Sequence, residues 1–232
     1  MNKQIKGLVY FYLTNMRHSL IIFWSILLST ILISFIASYL LRDTDGVFML
    51  LLSGPVYIYF SVYGYYIVKN WLPFVIKIGA TRKNIFISFA LFFTSLATIF
   101  SLITIIIQES LLPLARWLDM DIFSFIHLAT LLNDTWYERL FIDITVCLFL
   151  FVTSFLIGLI NYRYGLLISG SFIGLLFLMS MFGMFRGWLI DFFMYIYSNF
   201  DLLLFVKVGV VSIAIYVITW LFLRKATVTS VR

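Results

Sequence analysis

Charge is scarce in this chain, and the scarcity excludes an ordinary water-soluble domain. Asp, Glu, Lys and Arg make up 11% of the 232 residues, where a soluble domain carries about a quarter. Cys147 is the single cysteine, so no internal disulfide can form, and it reads as a small packing residue in an apolar run. The two histidines, His18 and His127, are expected on opposite sides of a membrane, which excludes a shared metal. There is no Gly-x-x-x-x-Gly-Lys-Ser/Thr phosphate loop, no His-Glu-x-x-His pair and no Gly-x-Ser-x-Gly elbow. The chain is therefore read as no enzyme, with no catalytic residue, metal or cofactor of its own. The first 18 residues are too polar for a signal peptide and lack its small-residue cleavage site, so the first apolar stretch is expected to be retained.

What the chain does have is apolar length. Hydrophobic residues make up 63% and the mean hydropathy is +1.09. They gather in stretches of about 20 residues, enough helix to cross roughly 30 Å of hydrocarbon. The expected fold is all-α, a polytopic membrane protein with six transmembrane helices over residues 19–41, 47–68, 85–107, 140–160, 166–185 and 202–223. Residues 1–18 are read as a separate amphipathic interfacial helix and 19–232 as one six-helix transmembrane domain.

The acidic residues Asp43, Asp45, Glu109, Asp119, Asp121, Asp134, Glu138, Asp143, Asp191 and Asp201 all fall on one side of this arrangement. On the other lie Lys3, Lys6, Arg17, Lys69, Lys77, Arg82, Lys83, Arg163, Arg224, Lys225 and Arg232. Because basic residues near span ends stay cytoplasmic, both termini are expected inside. The net charge of +6 then reads as contact with anionic membrane lipids, and not with nucleic acid, since the cations are dispersed around helix ends.

Before the first span, Ile5, Leu8, Val9, Tyr12, Leu13 and Met16 share one helical face and Lys3, Lys6 and Arg17 the other. That pattern predicts a helix lying flat in the headgroup layer, its apolar arc in lipid. Short turns are expected at 42–46, on the outer side, and at 161–165, on the inner side. The connection 108–139 is expected to form an interfacial cap, with Glu109, Asp119, Asp121, Asp134 and Glu138 as an outer acidic patch suited to cationic peptides. Residues 186–201 are too apolar for an open loop and too few for two crossings, so short outer re-entrant helices are expected before the last span. Gly170 and Gly174 form Gly-x-x-x-Gly, read as helix packing, within the subunit or at an interface or substrate path. Two ionisable residues, Asp143 and Lys207, lie a turn or two inside predicted outer boundaries. Asp143 is expected to pair with Lys207 or Arg139.

The inner connection between the second and third spans is the most specific segment. Pro73 is placed to begin a short helix, Gly79 to end it and Thr81 to cap the next. Residues 76–88 read Ile-Lys-Ile-Gly-Ala-Thr-Arg-Lys-Asn-Ile-Phe-Ile-Ser. This stretch resembles the coupling segment of bacterial ABC exporter permeases of the ABC type-2 class, and the elbow, six spans and re-entrant segment are similar to that class too. A similar Gly-Ala/Ser-x-Arg sequence occurs in four-span ABC permeases with large outer domains, which this chain lacks. The long acidic connection between spans three and four departs from many relatives.

The resemblance implies that Lys77, Ile78, Gly79, Ala80, Thr81, Arg82 and Lys83 couple the chain to a cytoplasmic ABC ATPase subunit. It implies a second permease, identical or homologous, ATP and Mg bound on the partner ATPase, and a place in the bacterial cell membrane. The implied function is export of an amphipathic or hydrophobic substrate such as a peptide, lipid or drug. The alternative is a non-transporting immunity or sensor protein binding cationic antimicrobial peptides at its acidic outer face.

Overall fold

The computed structural model describes residues 3–43, 47–120, 122–165, 170–171, 174–175, 178–179 and 182–226. In chain order these form α1 (Lys3–Leu40), β1 (Phe48–Leu50), α2 (Ser53–Asn70), α3 (Leu72–Lys77), α4 (Arg82–Trp117), β2 (Phe123–Phe125), a 3-10 turn (Leu128–Leu131), α5 (Trp136–Tyr164), α6 (Gly183–Ser198) and α7 (Leu202–Leu223). Among the described residues α1, α4, α5 and α7 are each long and apolar enough to cross a membrane. The chain is an α-helical membrane protein. Half of the expected span 166–185, and residues 44–46 of the expected turn 42–46, lie outside the described residues.

The chain divides into two compact units, Met1–Tyr59 with Ile87–Ile144 and Phe60–Phe86 with Thr145–Arg232. In the first, no break separates the expected interfacial helix from the first span, because α1 runs unbroken for 38 residues, about 57 Å at 1.5 Å per residue. Its stripe Ile5, Leu8, Tyr12 and Met16 is buried in protein, whereas the sequence assigns it to lipid. The Tyr12 ring stacks on Phe89 of α4 at 4.7 Å and its hydroxyl meets that of Ser88 at 3.3 Å. A 3.6-residue apolar stripe fits either environment, and here α4 supplies both an aromatic face and a partner for the phenol. Farther along, Tyr59 of α2 stacks on Phe100 of α4 and bonds Ser19 of α1 at 3.0 Å.

Two short strands were not expected. β1 pairs with β2 in parallel, Phe48 opposite Phe123 and Leu50 opposite Phe125. α2 consequently starts at Ser53, not at residue 47, and is 18 residues long. Pro55 explains the start, since proline is tolerated in a first turn but would cost a hydrogen bond and a clash in a helix interior.

In the second unit α2 and α5 meet through glycine. A Cβ at Gly64 would stand 2.4 Å from the Phe151 carbonyl, and one at Gly158 would stand 3.0 Å from Val68. Ser61 and Ser154 bond at 3.3 Å beside this contact, and Asn161 donates to the Tyr65 hydroxyl. α5 continues to Tyr164 and stops where Gly165 takes φ +85°. α7 docks through Tyr216, whose ring stacks on Phe86 at 4.5 Å and whose hydroxyl donates to the Phe86 carbonyl. The apolar segment before α7 forms one helix, α6, of 16 residues, about 24 Å and too short for roughly 30 Å of hydrocarbon. Its Trp188, Phe193 and Tyr197 are all exposed. Gly170 and Gly174 are helical and exposed, and among the described residues a Cβ at either meets nothing within 4 Å.

The two glycine pairs should therefore respond differently to a side chain. Gly64→Val should destabilise the detergent-solubilised chain by about 1–3 kcal/mol or more through overpacking, whereas Gly174→Ala should change stability by less than about 0.5 kcal/mol. Denaturant unfolding of both variants checks this, and equal losses would place Gly174 in a packed contact.

Candidate functional site

Two sets of polar residues stand out from the apolar background. The first is the α2–α4 connection, built by local sequence chemistry. Pro73 occupies the first turn of α3. After it, Gly79 at φ +79° donates to the Ile76 carbonyl and Ala80 to the Val75 carbonyl. This pair of bonds is a Schellman stop, which requires a residue free to adopt positive φ. Thr81 then caps α4, its hydroxyl accepting from Asn84 N–H at 3.4 Å. Trp71, edge-on to Tyr63 at 5.6 Å, anchors the start of α3 to α2.

These bonds leave a defined surface. Phe74, Lys77, Ile78, Gly79, Thr81 and Lys83 are exposed, while Ala80 is buried and Arg82 half-buried. The Arg82 guanidinium donates to the Ala226 carbonyl beyond α7 at 2.5 Å. Among the seven residues assigned to coupling, the free-standing cations are thus Lys77 and Lys83, and Arg82 serves within the chain.

The second set surrounds Asp143 on α5, only 2% exposed. Its Oδ1 accepts from the Tyr57 hydroxyl and from His127 Nε2 at 3.0 Å. Its Oδ2 lies 3.5 Å from the Ser53 hydroxyl and 3.4 Å from that of Thr104, which donates its proton to the Ser101 carbonyl at 2.9 Å. The tautomer of His127 follows from its other nitrogen. Ala129 N–H donates to Nδ1 at 2.9 Å, so Nδ1 carries no proton and Nε2 must be the donor to Asp143. With both ring nitrogens occupied, the imidazole has no site left to take a proton from a hydroxyl nucleophile, and the cluster is no hydrolytic triad. Its chemistry is that of a pin, binding α2 and the α4–α5 connection to one carboxylate of α5. A buried carboxylate is tolerated only when donors replace its hydration.

Asp143 was expected to pair with Lys207 or Arg139. Arg139 instead grips Asp134 with two bonds of 2.7 Å, bonds the Gln108 carbonyl oxygen at 3.1 Å and lies 3.8 Å from Glu109. Lys207 is exposed on α7. The donors of Asp143 are neutral hydroxyls and an imidazole, which charge-based pairing of the sequence cannot find. The legible signal was Ser53 and Tyr57, polar residues one turn apart on an apolar helix.

The residues of the expected acidic patch have distinct surroundings. Glu109 and Asp134 flank Arg139. Glu138 is buried and accepts from Thr135 N–H at 3.2 Å and from the Asn133 amide at 3.1 Å. Thr135-x-x-Glu138 is the capping-box spacing that opens α5, and it was readable in the sequence. Asp119 is exposed at φ +53°, and Asp121 lies outside the described residues.

Replacing Asp143 tests the pin. Asp143→Ala should cost about 3–5 kcal/mol, because the buried His127 N–H and the half-buried Tyr57 O–H lose their acceptor. Asp143→Asn, which keeps an acceptor toward both, should cost less than half of that. Equilibrium unfolding in detergent measures both, and an Asp143→Ala chain as stable as the wild type would show that the cluster holds nothing together.

No family model, curated protein or solved structure matches the chain.

Proposed function

We propose that the chain is the transmembrane permease subunit of an ATP-binding cassette exporter. In this reading six helices span the bacterial cell membrane with both termini cytoplasmic: α1, α2, α4, α5, the apolar stretch 166–185 and α7. A second permease completes the pathway, and separate cytoplasmic ATPase subunits hold ATP and Mg. The cargo is amphipathic or hydrophobic, a peptide, lipid or drug.

One observation carries the reading. The α2–α4 connection is a built helix with a Schellman stop and a threonine cap, and it displays Phe74, Lys77, Ile78 and Lys83 outward. A connection that served only to reverse the chain would need no such construction. An apolar and cationic tip on a rigid base is suited to transmit a push from a soluble partner with an acidic groove. The partner's movement would pass directly into α4, whose first residue follows the Thr81 cap.

The test replaces the outward cations and spares Arg82. Lys77→Glu combined with Lys83→Glu should leave the chain inserted and folded, yet weaken copurification of a partner ATPase by about tenfold or more through charge repulsion. Full retention of the ATPase by that variant would remove the coupling role. Failure of any ATPase to copurify with the wild-type chain would instead favour a non-transporting immunity or sensor protein.

A further inference from the structure

A groove of about 690 Å³ runs between α1 and α4, within the roughly 300–1,000 Å³ of small-molecule sites. Leu28, Leu32 and Phe35 form one wall, and Ile106, Leu111 and Leu114 the other. Two serines also line it, but Ser29 donates to the Ser25 carbonyl at 2.7 Å and Ser110 to the Ile106 carbonyl at 2.6 Å. With both hydroxyls satisfied inside their own helices, the walls ask nothing of an occupant but apolar surface.

The rim differs from the walls. By the helical period Tyr39 and Trp117 continue the two groove-facing stripes toward the ends of α1 and α4. Trp117 is 78% exposed. The Arg42 guanidinium lies over the Tyr39 ring, 4.9 Å from its centre. Asp43 approaches only the Nε of Arg42, at 3.7 Å, and is itself 92% exposed. An indole, a phenol and a cation above a dry trough are the groups that headgroup depth selects. From Ile106 to Trp117 the helix rises about 16 Å, close to one leaflet of a roughly 30 Å hydrocarbon core.

We propose that this groove holds one acyl chain of a phosphate-bearing membrane lipid, with the phosphate at Arg42. The inference depends on the chain standing in a membrane and is independent of any ATPase. A trough one leaflet deep with a cation at its mouth fits a single lipid. A second copy of the chain would need an apolar track along the whole length of its helix.

The experiment uses the full chain in phosphatidylcholine vesicles doped with a phosphatidylglycerol that carries a photoreactive group near the end of one acyl chain. Crosslinks are mapped by peptide mass spectrometry. They should concentrate on residues 28–35 and 106–114 over the equally apolar exposed face of α7, by about tenfold for a retained lipid. Arg42→Gln, an exposed change that leaves the helices intact, should reduce this labelling about tenfold, the size of one charge-assisted hydrogen bond. It should leave labelling by a photoreactive diacylglycerol, which lacks the phosphate, unchanged. Leu111→Trp, which fills the trough, should reduce labelling by both lipids. Labelling of α7 as dense as that of α1 and α4 would mean a fluid lipid shell only and overturn the proposal. So would an Arg42→Gln chain that labels like the wild type, or crosslinks in the groove arising from a second copy of the chain.

Discussion

A carboxylate buried in an apolar helix is the constraint around which one half of this fold is arranged. Removing an ionised group from water costs several kcal/mol unless hydrogen bonds replace the lost hydration. Asp143 meets that condition with donors from two other segments, α2 and the α4–α5 connection. Each segment is placed accordingly. The parallel pairing of β1 with β2 sets Leu50 beside Phe125, and a few residues later the two chains deliver Ser53 and His127 to the same carboxylate. Pro55 makes α2 begin where Ser53 and Tyr57 fall one turn apart on a common face. His127 serves twice, accepting from Ala129 to start the 3-10 turn and donating to Asp143. The Arg139–Asp134 pair then closes the connection at the first turn of α5.

The other unit is held by different means. Around Gly64 and Gly158 the backbones of α2 and α5 approach closely, and the Ser61–Ser154 pair and the Phe60 and Phe151 rings fill the contact. Such packing works where lipid offers no hydrophobic gain for helix association, so close van der Waals contact and interhelical hydrogen bonds must supply the attraction. It gives the α3 connection a firm base, because α2 leads directly into it and Trp71 ties the two together. Rigidity there matters to the proposed coupling role, since a flexible tip would absorb a partner's movement.

Much of the helical layout was legible in the sequence because apolar length and turn chemistry are local properties. Each of the four long helices overlaps an expected span, α1 and α4 running well beyond theirs, and Pro73, Gly79 and Thr81 act in the positions their chemistry predicts. Two features were not legible, for physical reasons. The stripe of α1 fits lipid and protein equally well, and only the presence of Phe89 and Ser88 on a distant segment decides between them. The site around Asp143 is assembled from residues far apart in the chain whose donors carry no charge, so a reading based on charge looked to Arg139 and Lys207 instead. Ser154-x-x-x-Gly158 has the same small-residue spacing as Gly170 and Gly174 and lies in the α2–α5 contact.

Asp143 and the backbone of the 3-10 turn hold His127 in one tautomer between them. Nitrogen NMR of the chain labelled in its imidazoles tests this directly, with a His18→Gln background leaving a single histidine. The expected spectrum shows a proton on Nε2 and none on Nδ1, with the Nε2 proton signal shifted when Asp143 is replaced by Asn. A proton on Nδ1 would mean that the Ala129 N–H cannot donate to it and that no such network organises this half of the fold.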